Sequence, residues 1–121
     1  MQFTLPSIIF NKKKHIPLEH FVLSFDGYYD KNITPAIAYE IGADICNYFY
    51  EKNQQVIYSV HEDTDHVHLH ILVNTVSILD GKLQHTWKAE YYELQRWVQI
   101  ALSVIPHSYG IQSYRLVFNE L

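Results

Sequence analysis

Through the middle of this chain, histidines alternate with apolar side chains. Residues 66–74 read His-Val-His-Leu-His-Ile-Leu-Val-Asn. Two-residue alternation is the period of a β-strand, in which successive side chains point to opposite faces. We therefore predict a strand with His66, His68 and His70 on one face and apolar residues on the other. Because the apolar face must be buried, the segment requires a sheet that is covered on one side.

A fourth histidine joins this row if the preceding segment pairs with the strand. Residues 55–61 also read as a strand, and only four residues connect them to His66. So short a connection predicts an antiparallel hairpin, with His61 opposite His66 and Ser59 opposite His68. Directly opposed residues share a face, so all four histidines line one side of the sheet, with His61 and His68 as diagonal neighbours.

These histidines predict a site for a divalent metal ion. Imidazole nitrogens bind divalent ions and transfer protons near neutral pH. In this arrangement His61, His68 and His70 can share one ion and leave coordination positions for a substrate oxygen. Asp63 and Asp65 lie in the hairpin connection, where they can complete the site or orient a ligand through its other ring nitrogen.

The remaining segments predict an α+β fold. Thr34-Pro35 is typical of a helix start, because a hydroxyl caps the first turn and proline fits its first position. Asp80-Gly81 indicates a turn. Strands are predicted over residues 20–25, 55–61, 66–74 and 114–118, with a candidate edge strand at 7–10, and helices over 35–52 and about 89–104. Antiparallel strands with helices between them predict an antiparallel sheet with two main helices packed on one side.

Length and composition narrow the class of protein. The 121 residues, 48% of them hydrophobic, predict a single domain over 1–121, because two cores would need a longer chain. No apolar run approaches the roughly 20 residues of a membrane span. The single cysteine, Cys46, excludes an internal disulfide and favours the cytoplasm. The formal net charge of -4 counts against nucleic-acid binding, since such proteins are more often basic.

The histidine segment nevertheless resembles a DNA-processing family. Its pattern resembles the third motif of HUH-class mobilisation relaxases, which start the transfer of plasmids and integrative elements; the matching order is His61-x-Asp63-x-x-His66-x-His68-x-His70-x-x-x-Asn74. Residues 21–25 resemble the second motif, a strand that carries a serine, here Ser24. Residues 80–82, 91–94 and 109–111 resemble later segments of the family, so the resemblance covers about Phe21 to Ile111.

The resemblance implies a site- and strand-specific nickase of single-stranded DNA at an origin of transfer. His61, His68 and His70 would hold Mg²⁺ or Mn²⁺, which polarises the scissile phosphate. A tyrosine would then attack the phosphorus and form a 5′-phosphotyrosine link. The other matched positions would orient the ligands or contact the DNA: Asp63, Asp65, His66, Asn74 and Ser24.

The nucleophilic tyrosine does not occupy its family position. In relaxases it lies near the N-terminus, well before the histidines, whereas the first tyrosine here is Tyr28. We therefore expect the chain to lack that motif and the first strand, and to be inactive on its own. Other HUH groups place the tyrosine on a helix after the histidines, where Tyr92 is a better candidate than the more apolar-facing Tyr91. An open sheet edge would favour a homodimer.

Two alternatives stay open on the sequence. A relaxase remnant could keep the metal site and bind DNA or a partner without cutting. A histidine-triad nucleotide hydrolase would use His68 as a nucleophile without metal. That triad lies near the C-terminus of such hydrolases, whereas residues 71–121 follow it here, and the pattern leaves His61, Asp63 and Asn74 unexplained.

Overall fold

The predicted antiparallel sheet with two helices is confirmed. A computed structural model describes residues 18–25, 33–62, 66–104 and 114–120. The strands are β1 (Leu18–Phe25), β2 (Gln54–Glu62), β3 (Val67–Ser77) and β4 (Tyr114–Glu120), and the helices are α1 (Pro35–Tyr50) and α2 (Lys88–Val104). They form one sheet in the order β2-β3-β1-β4, and all its pairings are antiparallel. The candidate edge strand at 7–10 lies outside the described residues.

Helix α1 begins where its capping residues predict. The Thr34 hydroxyl accepts a hydrogen bond from the Ile37 amide at 3.2 Å, which satisfies one of the unpaired amides of the first turn. The helix lies very close to the sheet at Gly42. A Cβ atom there would stand 2.6 Å from the Tyr58 ring and 2.9 Å from Leu69, so only glycine allows this approach.

The core lies between the helices and one face of the sheet. Alternate residues of β1 and β3 point into it, among them Phe21, Leu23, Leu69 and Ile71, which are almost fully buried. Both helices contribute to the same cluster, α1 through residues such as Ile41 and Ile45, and α2 through Leu94 and Val98. The predicted apolar face of β3 is therefore confirmed, and the histidines lie on the other face.

The hairpin register differs from the prediction. His61 pairs directly with His68, and Ser59 pairs with His70. The reason is that β2 continues to Glu62, which pairs with Val67, so the connection begins one residue later than expected. This shift moves each pairing by two residues and leaves every side chain on its predicted face.

The end of the sheet farthest from this hairpin is held by a buried carboxylate. Glu19 is 1% exposed and accepts hydrogen bonds from the Thr86 amide at 3.0 Å and the Thr86 hydroxyl at 2.8 Å. These bonds tie the segment before α2 to β1. The predicted turn at Asp80-Gly81 is also confirmed, with Gly81 at φ 72°. Neither described helix is long and apolar enough to cross a membrane.

Candidate functional site

The side of the sheet opposite the helices carries the predicted site residues, and we call it the histidine face. Its described side chains come from all four strands. They include His20, Val22 and Ser24 of β1, Ile57, Ser59 and His61 of β2, His68, His70 and Leu72 of β3, and Arg115 and Val117 of β4. None of these described side chains is a carboxylate or a tyrosine, so polarity here comes from imidazoles, hydroxyls and one guanidinium.

The strand register aligns these residues in rows. Ser24 pairs with His68 on one side and with Arg115 on the other, and His68 pairs in turn with His61. These four side chains therefore form one row across the four strands. The neighbouring row contains His70, which lies beside Val22 and Ser59. Of the three predicted metal ligands, His61 and His68 therefore lie in one row, and His70 lies in the row next to it.

His70 lies between two other imidazoles. Its Nδ1 shares a 3.0 Å hydrogen bond with Nε2 of His20, and the two rings are stacked with centroids 5.2 Å apart. On the β2 side, the centroid of His61 lies 4.3 Å from that of His70. His20 therefore contacts a predicted metal ligand directly, through Nδ1 of His70.

His68 is held in a similar way by a hydroxyl. Its Nδ1 shares a 3.0 Å hydrogen bond with the Ser24 hydroxyl. The His68 ring centroid lies 6.4 Å from that of His70 and 5.9 Å from that of His66. Ser24, which was predicted to orient a ligand or contact the DNA, thus contacts a predicted metal ligand through Nδ1 of His68.

The donor set fits a divalent ion in chemistry, although it is not a finished metal centre. Within the described ranges, no three His, Cys, Asp or Glu side chains are arranged as a ready metal-binding group. His68 and His70 are already oriented by Ser24 and His20, whereas His61 is exposed and can rotate. Imidazoles favour transition ions over Mg²⁺, which is usually bound through oxygen ligands.

Other predicted site residues lie apart from the histidines. Asn74 is fully buried, and its side-chain oxygen accepts a hydrogen bond from the Val76 amide at 3.0 Å. It lies four residues beyond His70 on the same strand, a distance of roughly 13 Å, so its observed contact is to the end of β3. Asp63 and Asp65 lie outside the described residues, and His66 is exposed just before β3.

The sheet separates the candidate nucleophile from the histidines. Tyr92 is 58% exposed on α2, which packs on the opposite side of the sheet. Its neighbour Tyr91 is half-buried and donates its hydroxyl to the Leu116 carbonyl at 2.9 Å. The role of Tyr92 as a nucleophile stays a prediction that nothing in this arrangement supports.

Sequence reasoning missed His20 and Arg115. One available signal was the spacing of His20 and Ser24, which places both on the same face of a predicted strand. No signal in the sequence indicated that this strand lies between β3 and β4. That order alone makes His20 a neighbour of His70 and Arg115 a neighbour of Ser24.

Comparison with known proteins assigns the family. A sequence profile of the MobA/VirD2-like nuclease domain of relaxases matches residues 1–101. The chain belongs to this relaxase family. It is also similar to the group II intron-interrupted relaxase LtrB of Lactococcus lactis subsp. cremoris strain MG1363, and to the relaxase of the same name from that subspecies. Each is 33% identical over 69 residues, which make up 57% of this chain and 12% of the relative.

The family match confirms the resemblance read from the histidine segment and favours a relaxase over a histidine-triad hydrolase. The chain spans 12% of the length of these curated relatives. The profile ends at residue 101, so β4 and its contribution to the histidine face lie beyond the matched region.

Proposed function

We propose that this relaxase-family chain binds one divalent ion through His61, His68 and His70 and holds a phosphodiester of single-stranded DNA beside it. The observation that carries the proposal is the pair of 3.0 Å hydrogen bonds at Nδ1 of His68 and His70. Both bonds are made at Nδ1 and orient imidazoles of one face, so each ring would bind an ion through Nε2. In metal sites, such supporting hydrogen bonds typically determine the orientation of histidine ligands.

The supporting residues also select the tautomer of each ligand. A histidine that binds an ion through Nε2 keeps its proton on Nδ1. Nδ1–H of His70 would then donate a hydrogen bond to Nε2 of His20, and Nδ1–H of His68 would donate one to the Ser24 hydroxyl oxygen. Each donation raises the basicity of the ligating nitrogen. His61, which is exposed, completes the set by rotation of its side chain.

A divalent ion bound there would polarise a phosphodiester oxygen and stabilise the charge that develops as the P–O bond is cleaved. The chain's own residues would bind and orient the phosphate on the histidine face. We propose that this site serves strand-specific nicking at an origin of transfer during plasmid or integrative-element mobilisation. Because no described tyrosine lies on the histidine face, we propose that this chain alone binds DNA without cutting it.

Metal binding is tested by calorimetry of the full chain with Mn²⁺ and, separately, with Mg²⁺. We expect one Mn²⁺ per chain and weaker Mg²⁺ binding, because the ligands are imidazoles. The double variant His68→Ala, His70→Ala should lose Mn²⁺ binding. His85→Ala is the matched control, since His85 lies in the segment before α2, away from the histidine face. Unchanged affinity in the double variant would refute the ligand assignment.

The absence of cutting is tested by incubating the chain with single-stranded origin oligonucleotides and Mn²⁺ and then separating the products under denaturing conditions. We expect no protein band that is covalently linked to DNA. A linked band that disappears in the Tyr92→Phe variant would overturn this expectation and identify Tyr92 as the nucleophile. A band that persists in that variant would place the nucleophile elsewhere in the chain.

A further inference from the structure

Arg115 lies in the same row of the sheet as two of the proposed metal ligands. It pairs with Ser24, whose hydroxyl contacts Nδ1 of His68 at 3.0 Å. Two inter-strand spacings of about 4.8 Å separate the Arg115 backbone from that of His68, or roughly 10 Å. Nothing in the sequence motif predicts this neighbourhood, because more than forty intervening residues and the strand order create it.

The burial pattern of β4 shows which way Arg115 points. Leu116 is buried in the core, and Tyr114 and Phe118 pack against the same cluster. Because side chains alternate along a strand, Arg115 and Val117 point to the histidine face. Arg115 is exposed there, so its guanidinium can reach a molecule that lies across the face.

Arg115 is also the permanent positive charge of this surface. Among the described side chains of the histidine face there is no lysine, no second arginine and no carboxylate, and no described carboxylate forms an ion pair with Arg115. Lys52, by contrast, lies 3.7 Å from Glu93 on the helical side. A guanidinium keeps its charge at all relevant pH values.

We propose that Arg115 binds a backbone phosphate of single-stranded DNA next to the histidine site. This inference rests on the proposed function. The chain carries a net charge of -4, so its overall charge does not attract DNA, and a cation beside the histidines adds local attraction to that of the proposed ion. The planar fork of a guanidinium matches two phosphate oxygens. Strand β4 thus adds a phosphate-binding residue from beyond the region that the family profile matches.

The test compares Arg115→Gln with Arg96→Gln, which removes the same charge from an exposed position on α2, across the sheet from the histidines. The probe is a fluorescein-labelled oligothymidylate of about 20 nucleotides, a few times the footprint of a small binding site. Its anisotropy is titrated with each full-length protein in the presence of Mn²⁺, at several salt concentrations. Arg115→Lys serves as the variant that keeps the charge.

The logarithm of the association constant falls linearly with the logarithm of the salt concentration, and one lost phosphate contact makes this slope shallower by about 0.7 for single strands. At 0.1 M salt, a change of this size in the slope means about fivefold weaker binding. We expect this loss for Arg115→Gln. Arg96→Gln should bind like the wild type. Arg115→Lys should keep the wild-type slope, with weaker binding because a single ammonium replaces the bidentate fork.

Equal salt slopes for Arg115→Gln, Arg96→Gln and the wild type would overturn the proposed contact while leaving the proposed function intact. A wild-type chain that does not bind the oligonucleotide with Mn²⁺ would overturn both proposals. Loss of the native circular dichroism spectrum in Arg115→Gln would also contradict the proposal, because an exposed side chain without described polar partners should not be needed for folding.

Discussion

Replacing His20 by phenylalanine separates the hydrogen bond to His70 from the ring packing around it. Phenylalanine keeps a flat ring, so the stacking on His70, with centroids 5.2 Å apart and planes at 17°, can persist. The variant loses both ring nitrogens of His20, including the Nε2 that lies 3.0 Å from Nδ1 of His70. The structure predicts that His70 then keeps its place on the strand and loses the partner that orients it.

The magnitude follows from the nature of that bond. An ion bound at Nε2 of His70 would strengthen the hydrogen bond between its Nδ1 and His20 toward a charge-assisted one. Such bonds contribute about 1.5–3 kcal/mol. Loss of a partner that orients a metal ligand typically weakens metal binding about 10–100-fold, or about 1.4–2.7 kcal/mol. We therefore expect His20→Phe to bind Mn²⁺ at least tenfold more weakly than the wild type.

Calorimetry with Mn²⁺ at constant pH measures this change directly and does not depend on DNA cleavage. His20→Gln should recover part of the affinity, because its amide oxygen can accept the Nδ1–H of His70. His85→Phe is the control for losing a histidine elsewhere. A folded His20→Phe variant with wild-type Mn²⁺ affinity would refute the positioning role of His20. Equal weakening in His85→Phe would refute it as well.

Three further predictions concern the scaffold under the site. A Cβ at residue 42 would lie 2.6 Å from the Tyr58 ring, so the overpacking cost of Gly42→Ala lies toward the upper end of about 1–3 kcal/mol and exceeds the helix-propensity gain of about 1 kcal/mol. The variant should therefore melt several degrees lower, and an unchanged melting temperature would contradict the close approach of α1. Glu19→Ala should lower the free energy of unfolding in urea by about 1–3 kcal/mol, because the amide and hydroxyl of Thr86 lose their acceptors. An unchanged free energy would mean that the buried carboxylate does not stabilise the segment before α2. Burial raises the pKa of the Cys46 thiol to about 12, so the thiol stays protonated at pH 8. It should react with a disulfide reagent at that pH only when the chain is unfolded. Rapid reaction of the native chain would contradict this burial.

Local patterns predicted the elements well, because each depends on neighbours in the chain. The alternation around His66–His70 specified a strand with one apolar face, and its apolar side is buried as expected. The Thr34-Pro35 pair specified the start of α1. The hairpin register was less predictable. The predicted and observed registers differ by two residues, so every side chain lies on the same face of the sheet in both. Hydrophobic patterning therefore does not distinguish them.

The sequence by itself determined which side chains share a strand face, and the histidine motif was specific enough to indicate the relaxase family that the comparisons confirm. Only the tertiary structure decided which residues from other strands lie next to the histidines. Strand order depends on how the whole apolar surface is buried, which no short segment encodes. The placement of β1 between β3 and β4 therefore brings His20 against His70, Ser24 against His68 and Arg115 into their row.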